Sequence, residues 1–270
     1  MAQSVFNENV VIITGASAGI GKELALQLAN QGSYLVLAAR DADKLKIIAN
    51  ECEKLGGKAI AVKTDVSVKS QCKKMIEKCV KEYGRIDTLI NNAGLSMWAN
   101  FGEIKDADML KEIMDVNYMG SVYTTFYALP YLKESKGRLV GISSLTGKTG
   151  VPTRTGYAAS KHAMAGFFDS LRIELMDTGV TVSMIYPGFV ATEVRERALG
   201  KDGKPLKQSH INETGIMSVE ECVKQIIKTI EKRKRELVMT TRGKIGLWMK
   251  LIAPKLVDKI ALKTIQTGKT

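Results

Sequence analysis

The chain has 270 residues, of which 45% are hydrophobic and 25% charged, the composition of a globular protein with enough apolar residues for a full core. No apolar run reaches the roughly 18 residues that a membrane-spanning helix requires. The net charge is +12, but residues 224–270 carry ten of these charges, with 13 Lys and Arg against three acids, which argues against a nucleic-acid-binding body.

The first predicted element is a buried strand over residues 10–13, which leads into a glycine-rich turn and then a helical pattern from Leu24 onward. In this context Gly15 permits a tight turn, Gly19 lets the backbone approach a pyrophosphate, and Gly21 lets the helix pack closely on the strand. The unpaired N–H groups at the start of that helix would bind the phosphates. We therefore predict a nucleotide site on this loop, formed by Gly15, Ser17, Gly19, Ile20 and Gly21.

The second predicted strand, over residues 34–38, ends at Ala39 and Arg40. A fold of this kind that binds NAD places an acidic residue here, against the ribose 2′-hydroxyl. This chain offers a guanidinium instead, which suits the 2′-phosphate of NADP. The alternative is an exposed loop arginine beside Asp41 and Asp43.

Strand and helix patterns alternate through the rest of the body. Helices are predicted over residues 42–55, 70–83, 108–132 and 219–230, and strands over residues 59–62, 88–90, 138–143, 181–185 and 237–239. The alternation predicts an α/β fold, a Rossmann-like doubly wound parallel sheet of about seven strands with helices on both faces. Ligands of such sheets bind at the carboxyl ends of the strands, where Gly15, Asp65, Asn91, Ser144 and Pro187 all fall.

A second motif lies on the helical pattern that follows the strand ending near Ser144. Tyr157 and Lys161 are four residues apart, so the phenol and the ammonium are neighbours on one helix face. A nearby positive charge lowers the pKa of a phenol towards the working range of an acid/base catalyst. We expect the Ser144 hydroxyl to hold a substrate oxygen beside Tyr157. The alternative is an ordinary amphipathic helix with a surface lysine.

Two further segments differ in composition from the alternating body. Residues 195–215 are polar and rich in glycine with no clear period, which favours a mobile substrate lid over about residues 192–216. We assign residues 1–241 to one catalytic domain that includes this lid.

The remaining residues, 242–270, form a basic amphipathic tail that we assign to the same domain, and Pro254 separates two short helical patterns in it. With Trp248 on one of them, the pair is able to lie in a membrane surface. Packing over the substrate entrance or against another subunit explains the same pattern, and the sequence leaves both open.

The cysteines and histidines indicate neither a disulfide framework nor a metal site. The four cysteines, Cys52, Cys72, Cys79 and Cys222, stand singly without C-x-x-C spacing, and His162 and His210 are the only histidines. Reduced structural cysteines are typical of cytosolic proteins. We therefore expect no metal and a cytoplasmic protein, without a signal peptide at the start of the chain.

The motifs taken together resemble the signature of the short-chain dehydrogenase/reductase superfamily over about residues 8–240. They are the glycine turn from Thr14 to Gly21, Asn91-Asn-Ala-Gly94, Asn117, Ser144, Tyr157-x-x-x-Lys161 and Pro187-Gly188. The segments 147–162 and 166–172 are similar to the branch that holds the 11β-hydroxysteroid dehydrogenases and dehydrogenase/reductase member 7. From the residues at its start we expect no membrane anchor of the kind that the steroid dehydrogenases have, so we do not carry over their location or their steroid substrate.

The resemblance implies an NADP-dependent oxidoreductase that acts on carbonyls and alcohols. Tyr157 would exchange the proton, Lys161 would hold the nicotinamide ribose and depress the tyrosine pKa, and Ser144 would polarise the substrate oxygen. Asn117 would support a water relay to Lys161, although a simple buried helix kink is an equal alternative. The implied cofactor contacts also include Asp65 and Val66 at the adenine, Asn91, Ala93 and Gly94 beside the ring, and Pro187, Gly188, Val190 and Thr192 around the carboxamide and pyrophosphate.

The same resemblance implies a homodimer or homotetramer, because similar proteins pair the Asn117 and Tyr157 helices across a two-fold axis. The expected substrate is a small, apolar carbonyl or secondary alcohol. The competing function is a nucleotide-binding regulatory or scaffold protein on the same fold, at a membrane surface. The intact set of Ser144, Tyr157 and Lys161 favours the enzyme, since a scaffold has no chemical need for all three.

Overall fold

A computed structural model describes residues 4–207 and 216–267, which form a parallel sheet covered by helices on both faces. The strands are β1 (Val10–Thr14), β2 (Tyr34–Ala39), β3 (Lys58–Lys63), β4 (Thr88–Asn91), β5 (Arg138–Ile142), β6 (Thr181–Tyr186) and β7 (Glu236–Val238). Their order across the sheet is β3-β2-β1-β4-β5-β6-β7, and every pairing is parallel. The predicted Rossmann-like fold with about seven strands is confirmed.

The helices follow the predicted alternation, with ends that shift by a few residues. They are α1 (Gly19–Ala29), α2 (Ala42–Lys54), α3 (Lys69–Tyr83), α4 (Asp108–Met114), α5 (Gly120–Glu134), α6 (Thr155–Glu174), α7 (Val219–Glu231), α8 (Thr241–Ile252) and α9 (Pro254–Thr267). The predicted division of the tail at Pro254 is confirmed, since α9 begins at this proline. None of the helices in the described ranges is both long and apolar enough to cross a membrane.

One helix differs from its prediction. The continuous helix expected over residues 108–132 is three pieces, because a π-helical turn, Asp115–Met119, separates α4 from α5. Asn117 lies in this turn, fully buried, and the Ser121 hydroxyl donates to the Asn117 carbonyl oxygen at 2.9 Å. Such wide turns occur where side chains compete for the helical hydrogen bonds, and they are frequent at functional sites.

Two apolar clusters hold the sheet between its helix layers. On one face β1 and β2 pack against α1, α2 and α7, and on the other the sheet packs against α3, α5 and α6. The four cysteines lie in these layers as buried free thiols, and burial raises the pKa of each to about 12. The predicted structural role of the cysteines agrees with this burial, because a thiol with so high a pKa is a poor nucleophile.

The segment expected to form a lid is packed against the body in its described part. Leu199 donates its backbone N–H to Ser96 O at 2.9 Å and accepts from Trp98 N at 2.8 Å, which ties residues 192–207 to the loop after β4. Residues 208–215 lie outside the described residues, and the opening of this segment stays a prediction.

Candidate active site

A cavity of about 1700 Å³ opens at the carboxyl edge of the sheet, where the strand order reverses between β1 and β4. Most of the predicted site residues line it, namely Gly15, Ser17, Gly19, Ile20, Arg40, Asp65, Val66, Ala93, Gly94, Ser144, Tyr157, Lys161, Pro187, Gly188, Val190 and Thr192. The topological switch point is therefore a concave site that both the candidate catalytic groups and the glycine loop line. Gly21, Asn91 and Asn117 lie behind this surface.

The glycine loop has the close contacts that its spacing predicts. Gly15 has a φ of +68°, and a Cβ there would lie 2.8 Å from the Ala93 Cα, so the loop lies directly against the end of β4. A Cβ on Gly21 would lie 2.2 Å from the Gly15 carbonyl oxygen. Helix α1 has no side-chain cap at Ala18 and no acid in its first turn. Its N-terminus therefore suits the pyrophosphate of a nucleotide, as predicted.

The side chain of Asn91 faces away from the cavity, and the predicted contact of this residue with the cofactor stays a prediction. It accepts from Thr124 Oγ1 at 2.5 Å and donates to Thr125 Oγ1 at 3.2 Å, and it is buried. These bonds join the end of β4 to α5. The next residue, Asn92, was missed by the sequence prediction, although it lines the cavity and its Nδ2 donates to Thr14 O at 2.9 Å.

Asn117 positions the site from behind. Its Oδ1 accepts from Leu95 N at 2.7 Å, and its Nδ2 donates to Leu95 O at 2.9 Å and to Ser160 Oγ at 2.8 Å. The amide therefore joins the loop after β4 to α6. A Cβ on Gly94 would lie 3.1 Å from Asn117 Oδ1 and 3.5 Å from Lys161 Nζ, so glycine keeps the space beside the lysine open. The proposed water relay stays a prediction.

Lys161 is buried, with 3% of its surface exposed, although it carries an ammonium group. Its Nζ donates to the Ile142 carbonyl oxygen at 2.9 Å, at the end of β5, and lies 5.8 Å from the centre of the Tyr157 ring. Burial lowers the pKa of Lys161 to about 8. The ammonium is therefore fixed where a parallel strand ends, beside the phenol, as the i, i+4 spacing predicts.

Tyr157 differs electrostatically from its prediction. Desolvation on the cavity wall raises the pKa of Tyr157 in the chain alone, whereas a lowered pKa was expected. The groups that oppose this rise are the guanidinium of Arg154 and the hydroxyl of Ser144. Ser144 lies just after β5, where its Oγ accepts from Thr146 N at 3.2 Å. The Ser144 hydroxyl expected beside Tyr157 is thus present, and the positive charge that opposes the rise is that of Arg154.

The far end of the cavity carries the residues predicted for the adenosine half of a dinucleotide. Arg40 is exposed after β2, and its neighbour Asp41 caps α2 by accepting from Lys44 N at 3.1 Å. Lys44 also lines this end, which adds a second cation that the sequence prediction missed. Asp65 Oδ1 accepts from Ser67 N at 3.0 Å and from Ser67 Oγ at 2.7 Å, which fixes the turn after β3.

Comparisons with known proteins show the family of the chain. The model of the short-chain dehydrogenase family matches residues 9–202, so the chain belongs to the short-chain dehydrogenase/reductase superfamily. Within it, the chain is 37% identical over 253 residues to 11-beta-hydroxysteroid dehydrogenase-like 4A of Arabidopsis thaliana. This match covers 93% of this chain and 83% of that protein. It is 34% identical to a dehydrogenase/reductase SDR family protein 7-like of Dictyostelium discoideum, with 97% and 83% covered.

A solved structure gives the same result for the fold. The alcohol dehydrogenase of the archaeon Thermococcus sibiricus, complexed with 5-hydroxy-NADP, superposes with a TM-score of 0.75 at 27% identity, over 86% of this chain and 95% of that one. The branch predicted from the local sequence is confirmed. The chain is an oxidoreductase of this superfamily, whose members bind a nicotinamide cofactor and transfer hydride at alcohol and carbonyl groups.

The buried Lys161 ammonium makes the stability of the chain depend on pH. Its pKa is about 8 in the folded chain and 10.5 when unperturbed, so between these values the unfolded chain binds more protons and stability rises with pH. Below pH 8 the full cost of burying the charge, about 3 kcal/mol, is present. We expect the unfolding free energy of the wild type, relative to Lys161→Met, to rise by about 2 kcal/mol from pH 7 to pH 10.

Urea titrations of both proteins without cofactor measure this difference in unfolding free energy. Because the cysteines and tyrosines titrate in both proteins, their contributions cancel in the difference. A difference that stays constant over this pH range would contradict the assigned charge state of Lys161.

Proposed function

We propose that this chain is an NADP(H)-dependent oxidoreductase that interconverts a carbonyl and a secondary alcohol, with Tyr157 as the general acid/base. The observation that carries the proposal is that Ser144 and Lys161 lie beside Tyr157 in one cavity, which the glycine loop also lines. Bound NADP(H) would supply or accept the hydride. In reduction the Tyr157 hydroxyl donates its proton to the carbonyl oxygen, and in oxidation the phenolate removes the proton of the alcohol.

The residues around Tyr157 have separate tasks in this mechanism. The Ser144 hydroxyl orients the substrate oxygen and donates to it as negative charge develops there. Lys161 stabilises the phenolate that remains after proton transfer, because its ammonium lies on the same face of α6. Asn117 is a positioning residue, since its contacts with Leu95 and Ser160 hold the loop after β4 against α6.

The cofactor preference rests on the end of the cavity beyond β2. Arg40 is exposed there and has no acidic partner within ion-pair distance in the described part of the chain, whereas Asp41 is engaged with Lys44 and with the start of α2. A guanidinium and an ammonium at one end of the cavity suit a 2′-phosphate, and an acid placed to bind a 2′-hydroxyl is missing at this position. This supports NADP over NAD.

The tail supports a location at a membrane surface. Trp248, Leu251 and Ile252 are 71%, 78% and 83% exposed on α8, with Lys244, Lys255, Lys259 and Lys263 exposed on the same helix pair. Ile245 and Ile260 of these helices line the cavity. An apolar face rimmed by lysines fits an anionic bilayer, and its position would let an apolar substrate enter from lipid.

The first test concerns the acid/base. Tyr157→Phe keeps the ring but removes the transferred proton, so we expect carbonyl reduction with NADPH to fall by roughly two to four orders of magnitude. The NADPH dissociation constant should stay within about threefold of the wild type, which shows that the site is intact. A variant that keeps near wild-type turnover would remove Tyr157 from the mechanism. Binding of NADPH without turnover of any carbonyl by the wild type would favour the scaffold function.

The second test concerns the 2′-phosphate. Arg40→Asp places a carboxylate against the phosphate, so we expect NADPH binding, measured by calorimetry, to weaken by roughly 10- to 100-fold while NADH binding changes little. Lys46→Asp is the matched control, since it makes the same charge change on α2, where Lys46 pairs with Asp43 outside the cavity. Tighter binding of NADH than of NADPH by the wild type would overturn the assignment.

The third test concerns the tail. The wild type should float with vesicles of phosphatidylserine and phosphatidylcholine at low salt and detach at high salt. The triple substitution Trp248→Ser, Leu251→Ser and Ile252→Ser should reduce the floating fraction at least about tenfold, because it removes the buried apolar area. Phe126→Ser, which changes an exposed aromatic residue on α5, is the control. Failure of the wild type to float at low salt would leave packing over the cavity as the role of the tail.

A further inference from the structure

The cavity wall beside Tyr157 holds two buried arginines that the mechanism does not use. Arg154, the residue before α6, is 8% exposed, and Arg195, in the segment after β6, is 6% exposed, yet both line the cavity. Each guanidinium is charged at every physiological pH. Burial lowers the pKa of Arg154, and so does repulsion by Arg195, because the two positive charges interact.

Arg154 is held in place by neutral groups. Its Nη1 donates to Ser96 Oγ at 2.8 Å, and its Cζ lies 4.8 Å from the centre of the Trp98 ring. No carboxylate of the described residues lies within ion-pair distance of Arg154. Two other arginines do have such a partner, since Arg85 pairs with Asp87 and Arg172 pairs with Asp169.

A buried charge without a counter-charge is costly, because the interior does not replace its hydration. An anionic ligand group that entered beside Arg154 would offset this cost. The Arg154 guanidinium contacts the Trp98 ring and makes one side-chain hydrogen bond, to Ser96. The other N–H groups of a guanidinium form a planar fork, the geometry that binds a carboxylate or a phosphate through two bonds. The Arg154 Cζ also lies 5.9 Å from the centre of the Tyr157 ring, so such a ligand group would lie a few bonds from the reacting carbon.

We propose that Arg154, positioned by Ser96 and Trp98, binds an oxyanion carried by the carbonyl substrate, so that the enzyme prefers a keto compound with a carboxylate or phosphate over its neutral analogue. This inference rests on the proposed function and refines its substrate to an anionic or amphiphilic carbonyl compound. Arg154 is then a specificity-determining residue, distinct from the proton-transfer group Tyr157.

The role of Arg154 as a counter-charge for ionised Tyr157 is the competing explanation of the same geometry. The two differ in one respect, which is whether the effect of Arg154 depends on the charge of the substrate. Loss of a tyrosine counter-charge slows reduction of every carbonyl equally, whereas loss of an anion site slows only the anionic ones.

The experiment compares 4-oxopentanoate with its methyl ester, and a phosphorylated ketone with its dephosphorylated form, in NADPH-dependent reduction. We expect the wild type to reduce an anionic member with a kcat/KM at least about tenfold above its neutral partner. Arg154→Met should lose at least about tenfold more kcat/KM on the anion than on the neutral compound, because a loss common to both reports only the effect of Arg154 on Tyr157. Preference for the acid alone or the phosphate alone identifies which oxyanion the site takes.

Two further variants keep the test decisive if Arg154→Met folds poorly. Arg154→Gln retains a donor to Ser96 without the charge and should show the same selective loss. Arg197→Met removes a positive charge from the cavity rim, where Arg197 pairs with Glu193, and should change the ratio of anionic to neutral kcat/KM by less than about threefold.

Equal losses on anionic and neutral substrates in both Arg154 variants would overturn the proposal, as would a wild type that favours the neutral compounds. If the wild type reduces no carbonyl, the proposed function itself fails, and calorimetry then tests the anion site alone. Binding of 4-oxopentanoate or of the phosphorylated ketone by the wild type that is lost in Arg154→Gln would support the site. Binding that is unchanged in Arg154→Gln, or no binding of either anion, would refute it.

Discussion

The hydrogen bond from Lys161 Nζ to the Ile142 carbonyl oxygen, at 2.9 Å, organises the site. It fixes a buried ammonium where β5 ends, and it thereby sets the position of α6 and of Tyr157 relative to the sheet. An ammonium at this depth loses its water, so its pKa falls to about 8, and it stays mostly protonated at neutral pH. Gly94 keeps the space beside the Lys161 ammonium free of a side chain, and the amide of Asn117 holds α6 through its hydrogen bond to Ser160.

Much of this arrangement follows from the sequence because parallel strands bring their carboxyl ends to one edge. Once β1, β4 and β5 are recognised as buried strands, Gly15, Gly94 and Ser144 must lie along that edge. The glycines add a steric reason of their own, since Gly15 takes a φ of +68° against Ala93. The fold, the cavity and the wall that carries Tyr157 were therefore predictable, and so was the division of the tail at Pro254.

The parts that were not predictable depend on side-chain directions and on burial. Asn91 bonds to Thr124 and so turns away from the cavity, a choice that no spacing rule encodes. In the π-helical turn the Asn117 amide hydrogen-bonds to the backbone of Leu95, which lies 22 residues earlier in the chain. The raised pKa of Tyr157 and the burial of Arg154 likewise appear only when the desolvation of each group is known. From the sequence, an arginine just before a helix is expected at the surface, yet Arg154 is buried in the cavity wall.

The central claim is that this chain moves hydride between NADP(H) and a carbonyl at the edge of the sheet. A competition turnover tests it most directly. The protein is given NADPH deuterated at both hydrogens of C4, an equal concentration of unlabelled NADH and a carbonyl substrate, and the alcohol is analysed by mass spectrometry. The account predicts an alcohol with one deuterium at the carbinol carbon in most molecules. An unlabelled alcohol, or no alcohol from any carbonyl tested, would contradict it.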